Sequence, residues 1–449
     1  MKTRSFLLIA TLLFAGSSTT FAQSNDEQEE ITVKNAKGED EVIDVPEAMT
    51  YEIDSLLHLY NSKTYLKIDS TCNMRDVNPV FDLQVYKTRL SKLPTIIEMP
   101  YNEVVQKFID IYSSKRRRNV SWMLGASNFY MPIFEQALET YNMPLELKYL
   151  PVIESGLNPK AVSRVGATGL WQFMLATGKR YGLRVNSLVD DRCDPVKASY
   201  AAARYLKDLY KIFGDWNLVI AAYNCGPDKI NRAIHRSGGE TDYWKIYPYL
   251  PKETRGYVPA FIAANYIMNY YCDHNICPMI TDLPTKTDTV MVNKDVHLQQ
   301  IAHVLNLDID ALRSLNPQYR RDIVNGSTEP SVVCLPASYI NKFVDMADSI
   351  YAYNTNDLLT KRTEVEVDQE DKYTPTRRSY SRKSSSRNSS RARRSSRKTR
   401  TRKSKNVTIK SGDTLSEIAE RNNTTVAKLK KLNKISGSSI RAGKKIRVK

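Results

Sequence analysis

The residue on which chemistry can be built is Glu154. It closes the first half of the stretch 145–174, LELKYLPVIESGLNPKAVSRVGATGLWQFM. Leu147, Leu150 and Ile153 or Glu154 recur at the spacing of one helical face. That apolar face ends in a carboxylic acid, followed at once by Ser155 and Gly156. Burial disfavours the charged form of a carboxyl group and raises its pKa, which is what a general acid needs at neutral pH. Farther on comes Gly169-Leu170-Trp171-Gln172-Phe173-Met174, a small hinge followed by an aromatic, an amide and a thioether. That set suits a sugar-binding cleft. An apolar helix over 216–222 then delivers Tyr223-Asn224 to a tight turn, with Gly226 giving freedom and Pro227 starting the next helix. Cleaving a glycosidic bond needs a proton on the leaving oxygen and stabilisation of an oxocarbenium-like centre, commonly from two carboxylates. This pattern offers one. Asp190, Asp191 and Asp194 sit in a polar turn that reads as a helix cap, and Glu253 lies far along the chain. A single acid suffices if the substrate's own 2-acetamido group attacks C1.

Glu154-Ser155-Gly156, Gly169-Leu170-Trp171-Gln172 and Ala222-Tyr223-Asn224-Cys225-Gly226, in that order, resemble the three signature motifs of the soluble-lytic-transglycosylase fold, related to goose-type lysozyme. With Glu253-Thr254-Arg255-Gly256-Tyr257 and a C-terminal LysM, the chain is similar to the membrane-bound lytic murein transglycosylase D group. The resemblance covers roughly residues 120–275 and 406–449. It implies a mainly α, lysozyme-like catalytic domain with an N-terminal helical extension and small βααβ LysM modules. It implies non-hydrolytic cleavage of the MurNAc–GlcNAc β-1,4 bond of peptidoglycan, with Glu154 as acid and then base and a 1,6-anhydro product. Ser155, Ser163, Gln172 and Met174 would line the cleft and hold N-acetyl groups. Tyr223 and Asn224 would steady the acetamido group or the Glu154 carboxyl, and Tyr257 and Glu253 would close the far side. Gly412, Asp413 and Thr414, inside SGDTL, would contact glycan. Neither a cofactor nor a metal is implied.

The elements that must position these residues divide the chain as follows. Residues 1–22 read as a secretory signal, with a basic start, the apolar run FLLIATLLFAG and a small-residue cleavage pattern. Residues 23–50 read as an exposed acidic tail, 51–125 as a helical region, and 126–285 as the catalytic domain. Residues 286–337 read as a degenerate LysM, because a strand, two short helices and a closing strand repeat the order of the C-terminal module. Residues 338–405 give a helical segment and then a disordered Arg/Ser-rich linker, and 406–449 a LysM. No stretch after the signal is long and apolar enough to cross a membrane, so a secreted or periplasmic envelope location is expected, with membrane association as an alternative.

The net charge of +17 is uneven. Residues 376–405 hold ten Arg, four Lys and no acid, while 23–375 carry a net negative charge. That excludes a general nucleic-acid surface and points to a local polyanionic envelope partner, or to a solvated spacer. Six cysteines are present. None forms a CxxC pair, so metal ligation has little support; Cys272 and Cys277 are near in sequence, Cys193 could meet Cys225, and the pairing stays open. Two other functions compete: a lysozyme-like hydrolase using Glu253 or Asp191 to activate water, and a non-catalytic wall-binding protein.

Overall fold

The computed structural model describes residues 31–50, 66–281, 284, 286–367 and, in the C-terminal module, 406–408, 418–419, 422, 424–433 and 445–448. The expected signal, the helix from Tyr51, the Arg/Ser run over 376–405 and Gly412, Asp413 and Thr414 lie outside these. The chain forms two units, 1–374 and 375–449.

Strands β1 (Ile31–Lys34) and β2 (Asp40–Ile43) pair antiparallel, with Ile31 opposite Ile43. Their period-two alternation turns Ile31, Val33 and Ile43 into the core, and Ala48 and Met49 follow. The expectation of an exposed tail is therefore wrong for residues 31–49. Acidic letters dominate the composition, but the few apolar ones share a face, and a large body is there to receive it. Strand β3 (Leu66–Ile68) pairs with β4 (Met279–Thr281), and a Cys72–Cys277 disulfide joins the chain beside them. Neither of the other pairings left open, Cys272–Cys277 or Cys193–Cys225, is made.

Helices α1 (Leu83–Ser91) and α2 (Glu103–Asp110) are separated where Pro94 and Pro100 interrupt the pattern. Asn102 caps α2 by accepting from the Val105 N–H at 2.9 Å. Helix α3 (Arg117–Thr140) runs unbroken across the expected boundary at 125/126. The basic run before it is not merely solvated. Arg117 pairs with Asp76 at 2.6 Å and donates to the carbonyls of Ser113, His274 and Asn275, each at 2.8 Å.

Next come α4 (Leu150–Ser155), α5 (Leu175–Arg180) and α6 (Pro195–Phe213). Asp194 caps α6 through the Val196 and Lys197 N–H groups, as the polar turn suggested. Helices α7 (Trp216–Cys225), α8 (Pro227–Arg236) and α9 (Tyr243–Ile246) lead to α10 (Lys252–Tyr270). Helix α10 is buried from Thr254 to Met268, as expected for a helix apolar on every side. Pro259 within it has no N–H and leaves the Arg255 carbonyl without its helical donor. The Tyr243 hydroxyl replaces that donor, at 3.1 Å from the Arg255 carbonyl and 3.2 Å from that of Thr254.

Residues 287–336 run β5 (Thr287–Val292), β6 (Asp295–His297), α11 (Leu298–Leu305), α12 (Ile309–Leu315), β7 (Ile323–Asn325) and β8 (Ser331–Pro336). Strands β5 and β8 pair antiparallel over a separate core of Val290, Val292, Leu298, Ile301, Val333 and Leu335. Helices α13 (Ile340–Asp345), α14 (Ala347–Ala352) and α15 (Thr355–Leu358) follow. The chain then returns to the catalytic body, where the Ser187 N–H donates to the Val365 carbonyl at 2.9 Å. Residues 355–367 are thus structured, against the linker reading, because backbone pairing needs no apolar side chains. In the second unit, β9 (Asn406–Thr408) pairs with β10 (Lys445–Arg447), and α16 (Val426–Asn433) brings Leu429 to a core with Ile418, Ile446 and Val448.

The β1–β2 hairpin is locked to α10 at Gly256, where an added Cβ would lie 2.4 Å from the Asp44 carbonyl oxygen and 3.2 Å from Phe108. Gly256→Ala is therefore expected to cost about 1–3 kcal/mol, as overpacking does, and to loosen the hairpin before the rest. Thermal unfolding with limited proteolysis checks this: the first new cut should fall within residues 31–50.

Candidate active site

Glu154 is the penultimate residue of α4, a short helix terminated by Gly156 in the left-handed region at φ 58°. Two consequences follow from that ending. The carboxyl emerges into a cleft, and Ser155 turns the other way. Ser155 is fully buried, its hydroxyl within 3.0 Å of the Pro151 carbonyl and 2.9 Å of the Leu170 carbonyl. It does not line the cleft. The expectation that it binds substrate is corrected: its role is to tie α4 to the segment 169–174.

That segment is held by close packing. An added Cβ at Gly169 would lie 1.8 Å from the Arg192 carbonyl oxygen, and φ there is +87°; only glycine fits. Trp171 is buried, its indole N–H donating to the Ser199 hydroxyl at 2.9 Å. Gln172, at φ 48°, gives its amide Nε2 to the Gly169 and Ala161 carbonyls at 2.8 and 3.2 Å. What Gln172 can offer the cleft is its Oε1 acceptor. Tyr223, on the last turns of α7, donates its hydroxyl to the Trp171 carbonyl at 2.7 Å. Asn224 accepts from the Thr254 hydroxyl at 3.0 Å, leaving its Nδ2 as a donor. One turn along α10, Tyr257 donates its hydroxyl to Glu154 Oε1. The contacts Ser155–Leu170, Trp171–Tyr223, Asn224–Thr254 and Tyr257–Glu154 thus close a ring around the acid.

The cavity in front of Glu154 measures about 460 Å³ and brings together Ser163, Gln172, Met174, Tyr223, Asn224, Glu253 and Tyr257, every sequence-expected cleft residue except Ser155. Burial pushes the Glu154 pKa up to about 8; the Tyr257 hydrogen bond works against this and the Glu253 charge adds to it. Tyr257 and Tyr223 are raised well above the ordinary phenol value, mainly by burial and secondly by the Glu154 charge. Both therefore remain hydrogen-bond donors whenever Glu154 can ionise. The residue is protonated at neutral pH yet reaches a polar cleft, as a proton donor should. Asp191, one of the acids considered as a partner, is elsewhere: it is buried and paired with Arg184 and Lys197 at 3.1 and 3.0 Å. Among the described residues no cluster of three or more His, Cys, Asp or Glu could hold a metal.

Sequence reasoning missed one wall. Asp44, Val45, Pro46 and Glu47 line the cleft from the N-terminal side, facing Arg164 and Val165. Glu47 meets the Arg164 side chain at 3.5 Å. The wall is anchored by Glu41, which pairs with Arg255 at 2.7 Å and Lys252 at 3.1 Å. The available signal was Glu253-Thr254-Arg255-Gly256-Tyr257. Glu253 and Tyr257 face the cleft, while Arg255 and Gly256 face the hairpin, so half of that motif is a docking site for distant chain.

A helical body with its carboxyl at the foot of a polar cleft is the setting in which the family comparisons fall. Residues 131–246 match the family described as Transglycosylase SLT domain, 286–352 that described as Lytic transglycosylase MltD, LysM-like domain, and 407–449 the LysM domain. A stretch similar to the SLT domain is thus followed by two stretches similar to LysM modules. It is 27% identical over 324 residues to membrane-bound lytic murein transglycosylase D of Escherichia coli (strain K12), covering 71% of this chain and 63% of that protein; it spans just under two thirds of that relative's length. It is also 33% identical over 124 residues to soluble lytic murein transglycosylase of the same organism, covering 26% of this chain and 19% of that one. The crystal structure of the 70 kDa soluble lytic transglycosylase from Escherichia coli aligns with a TM-score of 0.30 at 25% identity, over 36% of this chain and 30% of that one.

Removing the Tyr257 hydroxyl deletes an interaction that favours the Glu154 carboxylate, so in Tyr257→Phe the carboxyl should titrate above its wild-type value near 8. Glu253→Gln removes a nearby negative charge and should move it down. Carbon-13 NMR titration of the Glu154 carboxyl reads both; shifts of the opposite sign would refute the arrangement.

Proposed function

We propose that the protein is a lytic murein transglycosylase that cuts the β-1,4 bond between MurNAc and GlcNAc in peptidoglycan without water. The observation that carries this reading is Glu154, a carboxyl group raised to about 8 at the foot of the cleft and held by Tyr257. Glu154 donates its proton to the glycosidic oxygen as that oxygen leaves C1. The acetamido oxygen of MurNAc attacks C1 from the other face, giving a cyclic oxazolinium-like intermediate. The Gln172 Oε1 acceptor and the Asn224 Nδ2 donor are suited to an acetamido N–H and carbonyl respectively. Glu154, now a carboxylate, takes the proton of the C6 hydroxyl; O6 closes on C1, the acetamido group leaves, and the proton is back on Glu154. The Tyr257 hydroxyl stabilises the carboxylate between the two half-reactions. Met174, 44% exposed on the cleft wall, together with Val45 and Pro46, offers apolar surface to a sugar ring.

The LysM-type modules support peptidoglycan as the polymer and an envelope location, and among the described residues no helix is long and apolar enough to cross a membrane. The rival hydrolase needs a second acid that activates water. Glu253, Asp44 and Glu47 lie on the cleft, so the product decides. On purified peptidoglycan, mass spectrometry should find 1,6-anhydro ends, lighter than reducing ends by one water.

Glu154→Gln should lower turnover by on the order of 10²–10⁴-fold while leaving the unfolding transition and sedimentation with peptidoglycan intact; residual activity within tenfold of wild type would sink the assignment. Deleting residues 406–449 should weaken retention on insoluble wall yet spare cleavage of short soluble glycans, because a tethered module acts by raising local concentration. Co-sedimentation and soluble-substrate rates, measured on the same preparation, check that.

A further inference from the structure

A second hollow of about 750 Å³ lies at the seam between the catalytic body and the 286–352 module. Its lining cations are Lys160 and Arg192 from the catalytic body and Arg313 and Arg320 from the module; its acids are Asp190 and Asp322. Four positive groups thus meet three negative ones once Asp310, paired with Arg313, is counted, in a part of the chain whose overall balance is acidic. Three of the cations are held in place. Arg192 pairs with buried Asp190 at 2.9 Å, Arg320 reaches the same carboxylate, and Arg313 pairs with Asp322 and Asp310 at 2.6 and 2.8 Å. Lys160 is exposed and makes no ion pair among the described residues. The three arginines are matched by Asp190, Asp310 and Asp322, which leaves Lys160 as the cation in excess.

The hollow and the catalytic cleft share a wall. In the loop 161–168, residues 163 to 165 and 167 line the cleft, whereas 162, 166 and 168 line the hollow. The loop is braced from the hollow's side: the Arg192 guanidinium donates to the Gly166 and Phe173 carbonyls at 3.2 Å each. A polymer seated in the cleft therefore runs past the hollow at the distance of one loop.

We infer that this seam is a binding site for a carboxylate carried by the peptide substituents of the glycan strand in the cleft, with Lys160 as its free cationic contact. The inference rests on the reading of the cleft as a peptidoglycan site. The chemistry fits: a stem peptide presents carboxylates, and an ammonium beside ordered guanidinium groups offers charge-assisted hydrogen bonds to them. It also gives the 286–352 module a second use, since it supplies Arg313 and Arg320 to a site that neither part makes alone.

The test uses the full chain carrying Glu154→Gln, so that binding is read without turnover. Two soluble probes are compared, glycan chains bearing their peptides and the same chains stripped by an amidase. Adding Lys160→Glu should weaken binding of the peptide-bearing chains about tenfold, the scale of one hydrogen bond to a charged group, and leave the stripped chains unaffected. Lys160→Arg should retain wild-type affinity for both. Equal losses on the two probes, or no loss on either, would overturn the proposal. The peptide added alone should compete only weakly, because it lacks the strand that delivers it; full competition would assign the hollow to free peptides and overturn the strand reading. Wild-type chain that releases no soluble glycan fragments would count against the enzymatic reading, and the binding comparison would still stand or fall by itself.

Discussion

The site depends on one buried acid being kept in place by neutral groups. A carboxyl desolvated at the end of α4 resists ionising, and among the described residues no cation pairs with it. It is met instead by a phenol, Tyr257, whose own pKa is raised well above the ordinary value, so it stays protonated and donates to the acid. That phenol belongs to α10, the helix around which the body is packed, and its position is transmitted through Thr254 to Asn224, through Tyr223 to Trp171, and through Leu170 back to Ser155 beside the acid. Much of the ring ends on backbone carbonyls, so it fixes the paths of three chain segments as well as their side chains. Gly169 and Gly256 mark where two of those paths press against neighbouring backbone. The ring explains why segments far apart in sequence have to carry such particular residues.

Much of this was legible beforehand. The apolar stripe ending in Glu154, the glycine-led aromatic segment and the tyrosine–asparagine turn have local signatures, and local signatures survive in a single sequence. Ser155 was misread for a physical reason. Adjacency to a catalytic residue on a helix end says nothing of direction, and in a helix neighbours point about 100° apart. The N-terminal wall was misread because its composition is that of a solvated tail; what folds it is a partner more than 200 residues away in the chain. The Cys72–Cys277 link was undetermined for the same reason, its separation being 205 residues. The ordered stretch 355–367 was missed because it has few apolar residues and docks mainly through polar and backbone contacts, with Leu359 alone reaching the core.

The 286–352 module differs in character from the C-terminal one. The first is fused to the catalytic body: the Asp190 N–H donates to the Gln318 carbonyl, Arg320 reaches the Asp190 carboxylate, and the segment after α15 pairs with residues 186 and 187. Its geometry relative to the cleft is fixed by buried polar contacts. The second unit is separated in sequence by the Arg/Ser run.

The docking of the β1–β2 hairpin on Arg255 and Gly256 sets the order in which the site can exist. During synthesis the hairpin emerges first, but its anchor on α10 follows after some two hundred more residues. Such non-local closure is slow, since the entropy of a long loop must be lost before any contact compensates. Until α10 is made, the cleft lacks a wall and Glu154 lacks Tyr257. A nascent chain therefore lacks the arrangement on which the proposed cutting rests until both ends of the body have met.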